Sequence, residues 1–316
     1  MSFFLGIDAG GTKTDCVLAD ASGAILSHGS GGAANLGRTP LATLEASLAA
    51  ALAGALHHAG LRTARFEAVC AGFAGAGQPE PREAARRVLS ALASPRQLFI
   101  VGDMEVALEA AVGPGPGVVV IAGTGSIAYG RNALGQQARA GGRGPVVSDE
   151  GSAGDIGRRA LEAVLRAQDS EERVQALEAA VRAQLKLSDR RGLSGIVAHP
   201  DSSQHLAALL PTVVEVARSG DQLSNDILLV AGDVLAQLAL HVLRTLRLEA
   251  TPTHVATCGG VFAASREVSE QVHRRLRAWA PQAQVASLAT PPAEGAVRLA
   301  QRLWLQQRAA LPKGSP

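Results

Sequence analysis

Two short segments of this 316-residue chain carry the residue types needed to grip an anion. The first is Asp8-Ala9-Gly10-Gly11-Thr12-Lys13-Thr14 and the second is Ile121-Ala122-Gly123-Thr124-Gly125-Ser126. Glycines let backbone N–H groups approach an anion closely, and Thr or Ser hydroxyls add donors. Two such turns opposed across a cleft would hold a polyphosphate from both sides. Only the first has an acid at its strand end, and Asp8 there is placed to hold a Mg²⁺ directly or through water. Taken singly, each is equally an ordinary glycine-containing hairpin turn, with Asp8 a cap. Neither matches a Walker P-loop or a dinucleotide G-x-G-x-x-G.

The elements around these turns repeat. Alternating apolar runs predict strands at 3–7, 13–19 and 24–28, with turns at 8–11 and 20–23. Moving 112 residues along the chain, Gly11-Thr12 meets Gly123-Thr124, Thr14 meets Ser126, Gly23 meets Gly135 and Gly29 meets Gly141. The first strand meets the run 118–122 with a slip of a few residues. One supersecondary unit therefore opens each half, which predicts two similar domains facing each other. The Pro/Gly segment Gly113-Pro114-Gly115-Pro116-Gly117 marks the boundary. The expected domains are 1–114 with a C-terminal helix at about 293–316, and 115–292. Short β-branched runs alternate with helical spacing at 41–59, 81–93, 104–112, 156–185, 205–218, 225–247, 265–279 and 293–309, an α/β pattern.

Composition removes several function classes. An apolar fraction of 47% with 18% charged residues describes a folded protein rather than a disordered one. Net charge is only +2, and six Phe, two Trp and one Tyr leave little to stack on bases, so nucleic-acid binding is not expected. The doublets Arg86-Arg87, Arg158-Arg159, Arg190-Arg191 and Arg274-Arg275 read as solvated helix faces. Cys16, Cys70 and Cys258 show no ligand spacing, and the eight histidines form no paired-ligand motif, so neither disulfides nor a zinc site is expected. The helix at 226–246 carries Asp233 and His241 and reads as a core helix with one exposed stripe. No stretch of about 18 uninterrupted apolar residues predicts a membrane span. The N-terminal residues lack the charge pattern of a signal peptide, and a cytoplasmic location is expected.

At this level the motifs look familiar. Asp8 to Thr14 resembles the first phosphate motif of the actin-like ATPase and sugar kinase superfamily, and Ala122 to Ser126 resembles the second. Thr257-Cys258-Gly259-Gly260-Val261, after a strand at 254–256, is similar to its adenosine-binding turn. Val101-Gly102-Asp103-Met104-Glu105-Val106-Ala107-Leu108 and Ser148-Asp149-Glu150-Gly151-Ser152-Ala153-Gly154 resemble the N-acetylglucosamine kinase branch of the BadF/BadG/BcrA/BcrD-type ATPases. The five motifs fall in the family's order and span nearly the whole chain. The resemblance implies an α/β fold of two actin-like (ribonuclease H-like) domains, with a nucleotide and sugar cleft between them, and a homodimer. It implies ATP with Mg²⁺, and γ-phosphoryl transfer to the 6-hydroxyl of N-acetylglucosamine or a related sugar (glucosamine, N-acetylmuramic acid). On this pattern Gly10, Gly11, Thr12, Lys13, Thr124 and Gly125 hold phosphates, Gly259 and Gly260 the adenosine, and Asp8 the metal. Asp103 is the base and touches the sugar, with Asn35, Gly142, Arg143, Gly144 and Asp149.

Plainer uses exist for several of these: an N-cap of the helix at 104–111 for Asp103, a turn for Asn35, a helix start for Asp149. Glu150 and Ser152 read as helix-start residues. Arg143 stands where relatives carry an aromatic, Ser148 where they usually have Gly, and Pro145 adds stiffness. A guanidinium offers hydrogen bonds and charge rather than a stacking face, which brings a carboxylate-bearing sugar into range; Arg143 pointing to solvent is the other reading. A different class is also compatible with the family: an ATP-driven activator of an acyl-CoA dehydratase or reductase, with a subunit-bridging iron–sulfur cluster that needs interface cysteines.

Overall fold

The computed structural model describes residues 2–167, 174–187, 192, 196 and 202–310. The chain divides into two compact units, Met1–Gly115 together with Leu288–Pro316, and Pro116–Ser287. In the first, strands β1 (Ser2–Ala9), β2 (Thr14–Asp20), β3 (Ile25–Gly31), β4 (Arg65–Phe73) and β5 (Gln97–Gly102) form one sheet in the order β3-β2-β1-β4-β5. The first three are antiparallel neighbours, whereas β4 and β5 run parallel to β1 after the helical connections α1 (Leu41–His58) and α2 (Pro79–Ala93).

Side chains alternate across β1. Phe3, Leu5, Ile7 and Ala9 enter the core built with α1 and α2, whereas Phe4 joins the core on the other face. That second core holds Val106 of α3 (Asp103–Val112) and Ala293, Ala296 and Val297 of the C-terminal helix (Pro292–Ala310). Gly6 and Asp8 share the Phe4 face by the same alternation. The close approach of α3 requires two glycines. A Cβ at Gly72 would sit 2.4 Å from a Val106 methyl, and one at Gly295 would sit 2.2 Å from the Val106 carbonyl oxygen. Buried Glu109 then ties α3 to the C-terminal helix by accepting two hydrogen bonds from Arg302, at 3.1 and 2.6 Å. The outer carbonyls of edge strand β5 are covered by α2, whose Arg86 and Arg82 donate to Leu98 and Ile100.

The second unit repeats the topology. Strands β6 (Gly117–Ala122), β7 (Ser126–Arg131), β8 (Gln137–Gly141), β9 (Thr253–Cys258) and β10 (Ala283–Ser287) lie in the order β10-β9-β6-β7-β8. Here too the first three are antiparallel and the last two parallel to the first. The repeat expected from sequence extends to individual hydrogen bonds. The Asp20 N–H donates to the Ala24 carbonyl at 3.0 Å, and the Asn132 N–H to the Gln136 carbonyl at 3.0 Å. The Asp20 and Asn132 side chains each accept from backbone N–H groups two and four residues on.

Helices pack on this second sheet: α4 (Ala153–Arg166), α5 (Gln175–Gln184), α6 (Ser202–Ala207), α7 (Leu210–Arg218), α8 (Gln222–Thr245), α9 (Gly260–Ala264) and α10 (Arg266–Trp279). The single helix expected at 156–185 is two helices, and residues 168–173 lie outside the described residues. The one expected at 205–218 breaks after Ala207, because Pro211 starts a fresh helix in its first turn. By length and hydropathy α8 is apolar enough to cross a membrane, but 56% of its apolar window is buried inside the unit, and Asp233 at its middle is paired with Arg275. It is the core helix read from sequence, with His241 exposed.

Gly295→Ala is expected to destabilise the first unit by about 1–3 kcal/mol, since the added methyl meets backbone rather than a flexible side chain. Urea unfolding reads this directly; a variant as stable as the parent would contradict the close packing of α3 on the C-terminal helix.

Candidate active site

The parallel strands β1, β4 and β5 end at one edge of the first sheet, with Asp8 opposite Gly72 and Gly72 opposite Val101. Asp103 follows β5 directly, so the two acids stand two strands apart, roughly 10 Å across the sheet edge. The loops of this edge are laced together. Ala34 N–H donates to Gly10 O at 3.0 Å, Leu36 N–H to Ala74 O at 2.9 Å, and Ala74 N–H to Ala9 O at 3.0 Å. Gly10, Gly11, Thr12 and Lys13 form the β1–β2 turn, closed by Gly10 N–H to Lys13 O at 2.9 Å. Thr12 and Lys13 are exposed, and the Lys13 ammonium lies 2.5 Å from Asp15. Asn35 is half-buried beside these loops, and its Oδ1 accepts from Gly37 N–H at 2.8 Å, the turn role open to it from sequence. One unit thus brings together Asp8, Gly10, Asn35 and Asp103.

The cap position of α3 belongs to Gly102, not Asp103. Glu105, three residues on, accepts from the Gly102 N–H at 2.9 Å, and Asp103 is the first helical residue, its Oδ1 accepting from the adjacent Met104 N–H at 2.9 Å. Burial pushes the Asp103 carboxyl above the ordinary carboxylate range, with Glu105 adding to the rise and the Met104 N–H opposing it. Asp8 is pushed up to about 7, first by burial, then by the charges of Asp103 and Asp15, against a lowering by Lys13.

In the second unit Gly123 to Gly125 form the β6–β7 turn, closed by Gly123 N–H to Gly125 O at 2.9 Å. Gly259 follows β9 with φ +106°, and a Cβ there would lie 2.4 Å from the Ala122 carbonyl oxygen, so the two turns abut. Gly260 begins α9. Side chains added at Gly123 or Gly260 would meet nothing within 4 Å, so protein packing leaves space at both. Asp149 is buried with φ +68°, and a Cβ on Gly125 would lie 2.8 Å from its Oδ2. It precedes the helix rather than starting it: Ser152 caps α4, its Oγ accepting from Asp155 N–H at 3.2 Å. Thr124, Gly125, Asp149, Gly259 and Gly260 are therefore neighbours. Gly142 and Gly144 both have positive φ, and Arg143 between them is exposed.

Among the buried acids that escaped the sequence reading is one beside the turn at Asp149. Asp155 accepts from Gly151 N–H and Arg159 Nε, both at 2.9 Å, and from Arg158 Nη2 at 2.7 Å. The Arg158-Arg159 doublet thus clamps Asp155 while Arg158 stays partly solvated; Arg275 likewise pairs with Asp233, and Arg86 donates to the Leu98 carbonyl at the β5 edge. Arg190-Arg191 lie outside the described residues. The signal available was the i+3 and i+4 spacing of both arginines from Asp155.

Two of the three cysteines do not suit a cluster. Cys16 and Cys70 are fully buried, and burial holds both thiols up, Cys16 at about 12. Cys70 lies inside β4, which continues to Phe73.

Two sheets of one topology, each with a glycine-threonine turn leaving its central strand, define the actin-like ATPase and sugar kinase fold. The model of the BadF/BadG/BcrA/BcrD ATPase family matches residues 5–300, and the chain belongs to that family. It is 29% identical over 301 residues to the N-acetylmuramic acid/N-acetylglucosamine kinase of Clostridium acetobutylicum, covering 95% of this chain and 98% of that one. It is 28% identical over 309 residues to the N-acetyl-D-glucosamine kinase of Dictyostelium discoideum, covering 94% and 97%. A solved structure from Chromobacterium violaceum, described as a candidate N-acetylglucosamine kinase, superposes with TM-score 0.78 at 26% identity, covering 94% of this chain and 98% of that one.

The raised Asp8 pKa has a signed consequence. The folded protein binds a proton more tightly than the unfolded chain between about pH 4 and 7, so stability falls as pH rises through that window and levels off above it. Asp8→Asn is expected to remove this slope: thermal unfolding gives equal Tm values near pH 4 and a higher Tm for the variant at pH 8. Parallel Tm–pH curves for the two proteins would refute the assignment.

Proposed function

We propose that the protein is an ATP-dependent amino-sugar kinase that phosphorylates the 6-hydroxyl of N-acetylglucosamine or a related sugar, glucosamine or N-acetylmuramic acid. The observation that carries this reading is Asp103, an acid that burial keeps basic, at a sheet edge shared with Asp8 and Asn35. The kinship with proteins named as amino-sugar kinases supports it. Residues 1–114 with 293–316 form the sugar and phosphate domain on this reading, and 115–292 the nucleotide domain.

The residues fit MgATP. Open space beside Gly123 and Gly260 lets backbone N–H groups meet phosphate and ribose oxygens. No cluster of three or more His, Cys, Asp or Glu among the described residues forms a complete metal cage. That matches Mg²⁺, which keeps waters and takes one or two carboxylates together with phosphates. Asp8, its pKa held up by burial and by neighbouring carboxylates, would gain a further counter-charge there. MgATP supplies an activated phosphoryl group and neutralises charge on it. The protein's share is positional: Gly10, Gly11, Thr12, Lys13, Thr124 and Gly125 hold phosphates, and Asn35, Asp149 and the Gly142-Arg143-Gly144 loop orient the sugar. Asp103 accepts the proton of the 6-hydroxyl as the oxygen–phosphorus bond forms and the β–γ bridge breaks toward ADP. A cytoplasmic homodimer belongs to the same reading.

Coupled ADP release with MgATP over N-acetylglucosamine, glucosamine, N-acetylmuramic acid, glucose and a no-sugar blank tests it. Sugar-dependent release is expected, with Asp103→Asn lowering kcat by on the order of 10²–10⁴. Release indifferent to every sugar, or none, would remove the kinase reading. Separately, Mg²⁺ with a non-hydrolysable ATP analogue is expected to raise Tm in the parent protein and far less in Asp8→Asn.

A further inference from the structure

Two residues in the 149–151 turn occupy left-handed backbone, Asp149 at φ +68° and Gly151 at φ +77°. Glycine adopts that region freely; for aspartate it is strained and persists only where the surroundings enforce it. Four hydrogen bonds enforce it here. Ser152 N–H donates to Asp149 O at 3.2 Å and Ala153 N–H to Gly123 O at 2.9 Å. Ser126 Oγ donates to Glu150 O at 2.7 Å, and Gly151 N–H to Asp155 Oδ2 at 2.9 Å. Only the last involves a charge, and that charge is itself fixed from the far side by Arg158 and Arg159, with Arg158 shared onward to Glu162 at 2.9 Å. Asp155 is thus an ionic anchor of a turn whose other end presses the Asp149 carboxylate against Gly125 of the glycine turn.

We infer that Asp155, with Arg158 and Arg159, is a positioning residue: it holds the left-handed Asp149–Gly151 turn and through it sets where the Asp149 carboxylate stands beside Thr124 and Gly125. The inference rests on the kinase reading, in which Asp149 meets the sugar. Asp155 touches neither substrate; its effect travels through one backbone hydrogen bond. A carboxylate displaced by an ångström loses aligned hydrogen bonds to a bound hydroxyl pair, and such displacement costs on the order of ten- to a hundredfold in kcat/KM.

A double-mutant cycle on Asp149→Asn and Asp155→Asn decides it, with KM for sugar, KM for ATP, kcat and Tm measured for all four proteins. Asp155→Asn is expected to raise the sugar KM about tenfold while the ATP KM moves less than twofold. The double variant is expected to match Asp149→Asn alone, because Asp155 acts through Asp149. Effects that multiply, or an Asp155→Asn protein with a lower Tm but parental kinetic constants, would overturn the inference and leave the kinase reading standing. A parent protein without sugar-dependent turnover would remove both. Should Asp155→Asn fail to fold, Arg159→Gln replaces it in the same cycle, with the same pattern expected and the same outcomes decisive.

Discussion

The first unit is organised around two acids kept partly out of water at one edge of one sheet. Burial opposes both charges, with Asp103 and Asp15 adding to the rise at Asp8 and Glu105 to that at Asp103, which is why the two acids hold their protons more tightly than free carboxylates. Such an arrangement lasts only if the elements carrying it cannot drift apart. Gly72 and Gly295 let α3 sit closer to the sheet and the C-terminal helix than any side chain would allow, and the Glu109–Arg302 pair locks that contact. The local energetic penalty is offset by ordinary packing some distance away, in the core shared by Phe4, Val106 and Val297.

The two halves show which parts of a duplicated unit are backbone engineering and which are chemistry. Thr14 Oγ1 donates to Gly32 O at 2.8 Å, and Ser126 Oγ, its equivalent, to Glu150 O at 2.7 Å; each anchors the exit of its turn to the segment beyond the third strand. Asp20 and Asn132 close the next turn by the same side-chain acceptor geometry. What differs is the acid: the first copy has Asp8 on its central strand, the second recruits Asp149 from the segment before a helix. One scaffold thus offers a buried carboxylate by two different routes.

The repeat was readable because glycine, threonine and turn residues recur at one offset, and a hairpin is encoded by neighbours in sequence. Asp103 and the glycine turns were readable as motifs. The proximity of Asp8 to Asp103 was not, since it depends on the parallel register of β1, β4 and β5 across two helical connections. Nor was Asp155: two arginines one turn away on a polar-faced helix look the same whether they face water or grip a buried acid. β10, whose residues Ala283–Ser287 are mostly small or polar and only partly covered, gives no period-2 signal.

The C-terminal helix has a consequence for how the chain acquires its shape. Glu109 and Arg302 are 193 residues apart in sequence yet share two hydrogen bonds, and the core around Phe4 is closed by Ala293, Ala296 and Val297. The first-made half is therefore synthesised with that face of its sheet covered only by α3, while everything the second unit needs, Pro116–Ser287, is contiguous and complete before the closing helix is synthesised. The later half can thus settle first, while the earlier one completes the core around Phe4 and Val106 only when the last segment returns. Truncation within that last helix would accordingly strike the N-terminal unit, not the one that immediately precedes it.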